Sequence, residues 1–115
     1  MYLSYKTVNL EEGMPLVDQA IRHLTFELSR AKANKIAALK LIHGFGSSGT
    51  GGRIRTEVRK YLGAQKRKGA IRLFVPGESF SIFDADTRKM LDICPELRSD
   101  SDLDRHNNGI TVLIL

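Results

Sequence analysis

The stretch from Leu39 to Leu62 constrains this chain most. It starts as a short apolar run of strand length, Leu39 to His43. It then breaks into a glycine-rich loop, His43 to Gly52, and resumes at helical spacing, with Ile54, Val58, Tyr61 and Leu62 on one face. A strand, a glycine loop and a basic helix in that order set backbone N–H groups beside positive charge, which suits a phosphate group.

The flanking segments extend this unit into an α/β order. Tyr5 to Leu10 alternates as a strand and Glu11-Glu12-Gly13 breaks it. Pro15 suits a first helical turn, and Leu16, Val17, Ala20, Ile21, Leu24, Leu28 and Ala31 form a helical stripe ended by Ala33-Asn34-Lys35. His23 lies beside that stripe and reads as a helix-surface residue. Ile36 to Ile42 has the continuous apolar pattern of a strand buried on both faces. The second helix runs to about Lys68, where Gly69 stops it, and Ala70 to Val75 is a third strand ended by Pro76-Gly77. Glu78 to Asn108 is a long connection, with a short helix between Asp84 and Ile93 capped by Asp84 or Asp86. Ile110 to Leu115 is a last, central strand. The expected fold is α/β, an α+β two-layer sandwich of order β-α-β-α-β-(short helix)-β. It has a four-stranded mixed sheet, parallel first three strands and both long helices on one face. Residues 1–115 read as one domain with an insertion at about 78–108.

Charge narrows the partners. The chain carries 18 Lys and Arg against 13 Asp and Glu, a net +5, which favours anionic partners. The lone Cys94 excludes an intrachain disulfide and fits a reducing compartment. The first residues lack a signal-peptide pattern and no apolar run is long enough to span a bilayer. A soluble cytoplasmic protein without a membrane partner is therefore expected.

Several motifs compete for the glycine loop. Gly44 to Gly49 matches GxGxxG, but the chain is short for a doubly wound sheet and the next strand lacks the acidic residue a dinucleotide site needs. No Gly-Lys-Ser/Thr closes a Walker loop, and Thr50 stands where a nucleophile elbow needs glycine. His23, His43, His106 and Cys94 lack metal-ligand spacing, so no metal site is expected. What remains is an anion-binding turn with a basic helix. With Ile54 at the centre of the buried face, Arg59, Lys60, Lys66 and Arg67 are expected on the opposite side and Arg53 at its edge, with Arg55 near the loop. Glu57 is the only acid between Arg53 and Arg72. A one-sign stripe of this kind suits a repeating phosphate backbone. Phe45 at the loop tip can stack on a base or pack inward. His43 stands at the strand end, either as an acid or base facing a phosphate or as a hydrogen-bonded anchor of the loop.

These residues also carry a family resemblance. Leu41-Ile42-His43-Gly44-Phe45-Gly46, with Ile54, Arg55, Val58 and Leu62, resembles the HGxG segment of the small MutS-related (Smr) domain. Asn108-Gly109-Ile110-Thr111-Val112-Leu113 is similar to that family's closing glycine and strand, and Val17-Asp18-Gln19-Ala20 resembles its first helix. The resemblance implies a β-α-β-α-β-β sandwich that binds DNA or RNA, in a family several of whose members nick or cut it. Its LDxHG motif is rewritten here. Asn9 stands for the aspartate and Glu11 for the histidine, with an extra residue before Gly13. Glu11 offers a base or a metal ligand yet repels a phosphate, and Asn9 has no acid–base chemistry.

The first expectation is a nucleic-acid-binding domain of this type, with structure-selective nicking as its enzymatic form. His43 and Glu11 would be the catalytic candidates, and magnesium or manganese the metal such a nuclease would call on. Gly44, Phe45, Gly46, Ser47, Ser48, Arg53, Arg55, Arg59, Lys60, Lys66 and Arg67 would contact nucleic acid. The second expectation is a non-catalytic protein-interaction module that uses residues 78–108, and the third a small nucleotide-binding module. Oligomeric state is open.

Overall fold

The structure, a computed structural model, describes residues 3–45 and 50–115. Its strands are β1 (Leu3–Asn9), β2 (Ile36–Ile42), β3 (Leu73–Pro76) and β4 (Ile110–Ile114). Its α-helices are α1 (Val17–Ala33), α2 (Thr50–Arg67) and α3 (Ala85–Ile93), with 3-10 turns at Gly77–Ser79 and Pro95–Ser99. No described helix is long and apolar enough to cross a membrane.

The sheet order is β1-β2-β4-β3. β1 pairs parallel to β2, while β4 lies between β2 and β3 and runs antiparallel to both. The first three strands thus share one direction, as expected from their helical connections, and β4 is central, as its unbroken apolar run predicts. α1 and α2 cover one face, where Leu24, Leu28, Ile54, Val58 and Leu62 meet Val8, Leu39, Leu41 and Leu113.

Local signals set most boundaries. Gln19 accepts from the Leu16 N–H ahead of α1, and Asp18 lies in the first turn at the positive end of the helix dipole. Lys35 turns the chain out of α1 with φ +56. The Asp84 carboxylate accepts from the Thr87 N–H and caps α3. The third strand begins at Leu73 rather than Ala70, because residues 68–72 are taken up by the turn around Gly69, where φ is +77.

The long connection covers the other face of the sheet. Phe80, Met90, Leu91, Cys94 and Leu97 pack on Ala38, Leu73, Val75, Ile110, Val112 and Ile114. Each large apolar side chain buried there contributes about 1.5–3 kcal/mol. The loop after this cover is held by charge. Lys40 projects from β2 toward the second face and is only 7% exposed. Its ammonium donates to Asp100 Oδ1 at 2.9 Å and pairs with Asp102. Tyr5 Oη donates to Asp100 Oδ2 at 2.8 Å, and Asn107 Nδ2 donates to Asp102 Oδ1 at 3.0 Å. Asp104 accepts from the Ile82 N–H. The acidic run thus ties the connection to the sheet and to itself. Burial alone would lower the Lys40 pKa, but hydrogen bonds to Asp102 and Asp100 outweigh it and hold the ammonium above its ordinary value.

Lys40→Ala leaves two carboxylates without their cation and is expected to cost about 3 kcal/mol. The exposed Arg22–Asp18 pair is worth less than about 0.5 kcal/mol, so Arg22→Ala should be near neutral. Urea unfolding of both variants at neutral pH checks this, and equal midpoints would refute a structural role for the Lys40 cluster.

Candidate nucleic-acid interface

The C-terminal ends of β1, β2 and β3 and the start of β4 lie at one end of the sheet, the position at which open α/β sheets commonly bind ligands. His43 follows β2 there and is 0% exposed. Its N–H and that of Gly44 both donate to the Gly109 carbonyl at 3.0 Å, which joins the glycine loop to the start of β4. Gly44 takes φ +72, and a Cβ at this position would strike the Glu11 carboxylate.

The imidazole is enclosed by defined partners. Nδ1 lies 2.7 Å from the Gly44 carbonyl and Nε2 lies 2.8 Å from Thr111 Oγ1. A carbonyl only accepts, so Nδ1 carries the proton and Nε2 accepts from the Thr111 hydroxyl. Thr111 Oγ1 in turn accepts from Arg59 Nε at 3.2 Å. The chain Arg59→Thr111→His43→Gly44 is therefore directional. Burial, followed by the positive charges of Arg59 and Arg55, brings the His43 pKa down to about 4. The ring is neutral at neutral pH, with both nitrogens engaged. This is the anchoring arrangement; a substrate in contact with the ring would have to displace one of these bonds.

Arg59 departs from expectation. It was expected on the outer side of α2 but is half-buried against the ends of β3 and β4. At 3.6 residues per turn it sits about 100° from the middle of the Ile54–Val58–Leu62 face, a flank from which a long side chain reaches inward. Its Nη1 and Nη2 donate to the two Glu78 carboxylate oxygens at 2.9 and 2.8 Å. Nη2 also donates to the Ile110 carbonyl at 3.2 Å. Partial burial would raise the Glu78 pKa, but the Arg59 hydrogen bonds outweigh it and hold the carboxyl below its ordinary value.

The other expected residues divide into groups. Arg53, Lys60, Lys66 and Arg67 are exposed, and none has an ion pair among the described residues. Arg55 is half-buried on the same flank as Arg59, likewise without an ion pair there. Phe45 is 53% exposed. The Gly44 N–H is committed to Gly109 and is not free for a phosphate, a correction to the sequence expectation. Gly46, Ser47 and Ser48 fall outside the described residues. Glu11 is exposed, its N–H donates to Asn9 Oδ1, and its carboxylate lies against Gly44; no hydrogen bond joins it to His43. Among the described residues no three or more His, Cys, Asp or Glu side chains gather as a metal site. The Glu78 carboxylate is engaged by Arg59.

Sequence reasoning missed Thr111, Glu78 and Gly109 as members of this site. Thr111 did leave a signal, since it is the one polar residue in Ile110 to Leu115. Glu78 left none, because its partner Arg59 is 19 positions away.

No protein-family model matches this chain, and no curated protein matches it. Among solved structures, the crystal structure of the Smr domain of Thermus thermophilus MutS2 is similar, with a TM-score of 0.59 and 23% sequence identity over 96% of this chain and 96% of that one. The fold is thus Smr-like, an α+β arrangement around a four-stranded mixed sheet.

The His43 pKa gives a signed pH expectation. The folded value of about 4 lies below the ordinary 6.5, so this contribution to stability is complete above pH 6.5 and is lost as pH falls toward 4. Between pH 6.5 and 5 the loss should be about 1.5 kcal/mol. The carboxylates, whose ordinary values are lower, act mainly below that window. Urea titrations at both pH values should show this loss in the native protein and not in His43→Gln.

Proposed function

We propose that this chain is a nucleic-acid-binding domain of Smr type, spanning residues 1–115 with residues 78–108 as an insertion, which grips the phosphate backbone along the outer face of α2. The observation that carries the reading is the exposed row of Arg53, Lys60 and Arg67, with Lys66 exposed on the adjoining flank and Lys68 just past the helix end. These cations have no carboxylate partner among the described residues, and Glu57 is the one acid between Arg53 and Arg72. Cations on one helix face release counterions from a polyanion, so affinity should fall steeply with salt. Phe45 offers an aromatic face to an unpaired base at the same end of the sheet. The Smr-like fold agrees with this reading.

Strand nicking is the finer form of the proposal, with His43 and Glu11 as its candidates. The enclosed neutral imidazole favours binding without cleavage, because Nδ1 and Nε2 are held by Gly44 and Thr111. Docking of a protein through residues 78–108 is the competing reading. Phe80, Met90, Leu91 and Leu97 of that segment are taken up by the sheet, which weighs against it, and the apolar surface left to a partner is Ile82, Phe83 and Ile93.

Fluorescence anisotropy with a labelled duplex and a labelled single strand, followed against salt, tests the reading. Arg53→Gln, Lys60→Gln and Arg67→Gln combined should reduce the slope of log affinity against log salt by about 2–3, one phosphate contact for each cation. Absence of binding by the native protein at low salt would overturn it. Cleavage that depends on His43 would establish the nicking form.

A further inference from the structure

We infer that Arg59, with Arg55 beside it, forms a preorganised phosphate seat that the Glu78 carboxylate occupies in the free protein. The inference rests on the nucleic-acid reading and adds to it a contact and a means of restraint.

The guanidinium is held from behind. Nε donates to Thr111 Oγ1, and Nη2 donates to the Ile110 carbonyl and, at 3.4 Å, to that of Asn108. None of these bonds involves Glu78, so the fork keeps its place when Glu78 moves. The outward edge, Nη1 and Nη2, meets the two carboxylate oxygens in the side-by-side geometry that a phosphate also satisfies. Arg59 is 19% exposed and Glu78 is 44% exposed, so the carboxylate is the solvent-side partner.

Charge supports the same assignment. Arg55 and Arg59 both act on Glu78 and on His43. His43 is neutral, so two cations face one carboxylate and a positive charge is left over. A phosphodiester in place of Glu78 would take the same two hydrogen bonds and leave Arg55 within range of its field. The seat lies on the inner flank of α2, and the exposed row lies on the outer face of the same helix. Lys60 of the row directly follows Arg59 in α2, so the seat adjoins the row around the helix.

The Glu78 side chain is not needed to hold its own segment. Gly77 packs so closely under the Asn107 carbonyl that a Cβ would collide with it. The Phe80 N–H donates to the Gly77 carbonyl at 3.2 Å, and Phe80 is buried in the second core. The carboxylate can leave while its backbone stays.

The test is salt-dependent binding of a labelled single strand and a labelled duplex to the native protein, Glu78→Ala, Glu78→Gln, Arg59→Gln and the double variant Glu78→Ala/Arg59→Gln. Glu57→Gln, which removes a nearby carboxylate outside the seat, measures the general effect of one lost negative charge. Glu78→Ala is expected to bind about 3–10-fold tighter than native, with a salt slope steeper by about 1. The gain should exceed that of Glu57→Gln and vanish in the double variant. Glu78→Gln keeps the side-chain bulk over the seat and should gain less than Glu78→Ala. Circular dichroism melts confirm that each variant is folded. Unchanged or weaker binding by folded Glu78→Ala, a gain no larger than that of Glu57→Gln, or a gain that survives Arg59→Gln would each overturn the inference and leave the nucleic-acid reading standing. Absence of binding by every protein in the set would overturn both.

Discussion

A charged ammonium on a buried sheet face must be matched by anions, and this requirement organises half of the molecule. Lys40 stands in the second strand among apolar neighbours and cannot reach water freely. Two carboxylates, Asp100 and Asp102, meet it from a segment 60 positions later in the chain. Opposite charges in a low-dielectric setting attract strongly, but only when further hydrogen bonds satisfy the remaining lone pairs. Tyr5 and Asn107 supply those bonds. The cluster thus sets where the segment after α3 returns to the sheet, and so places Asn107 and Gly109 at the end where the candidate site lies.

The same segment gives the sheet its second layer and the site its acid. Phe80, Met90, Leu91 and Leu97 close a face that a four-stranded sheet with helices on one side would leave open. Glu78 arrives at Arg59 at the beginning of that cover, and the Lys40 cluster closes its end. The cover and the occupancy of Arg59 are therefore properties of one structural element. The exposed cations of α2 stand outside this element and are independent of it. Packing and exposed positive charge are divided between the two sides of a single helix.

What the sequence disclosed depended on how local each signal is. The apolar run Ile36 to Ile42 marks its strand at both ends, and Asp84 announces the start of α3, because a cap acts over three residues. The outer stripe of α2 follows from periodicity alone. Arg59 did not, since division of a helix into buried and exposed sides overlooks flank positions whose long side chains reach the next strand. His43 was legible as a residue of interest, but its enclosure depends on Thr111, 68 positions away. The acidic run at Asp100, Asp102 and Asp104 lay within a long connection whose sequence named no partner for it. The lone Lys40 inside an apolar strand was the cue that an acid must come to meet it.

The hydrogen-bond chain from α2 to the glycine loop has one consistent proton arrangement, and that fixes what His43 contributes. Starting from the Gly44 carbonyl, every donor is determined: Nδ1 to the carbonyl, the Thr111 hydroxyl to Nε2, and Arg59 Nε to the Thr111 oxygen. A second proton on the ring would turn Nε2 into a donor, and the Thr111 hydroxyl would have to give up its acceptor. The new charge would also face Arg59 and Arg55 in a site closed to water. Both effects oppose protonation, and both come from the partners that hold the loop in place. The features that make His43 a firm joint between β2 and β4 therefore make it a poor proton donor near neutral pH. Chemistry by this imidazole would require the joint to open first, whereas phosphate contact along α2 requires no change in it.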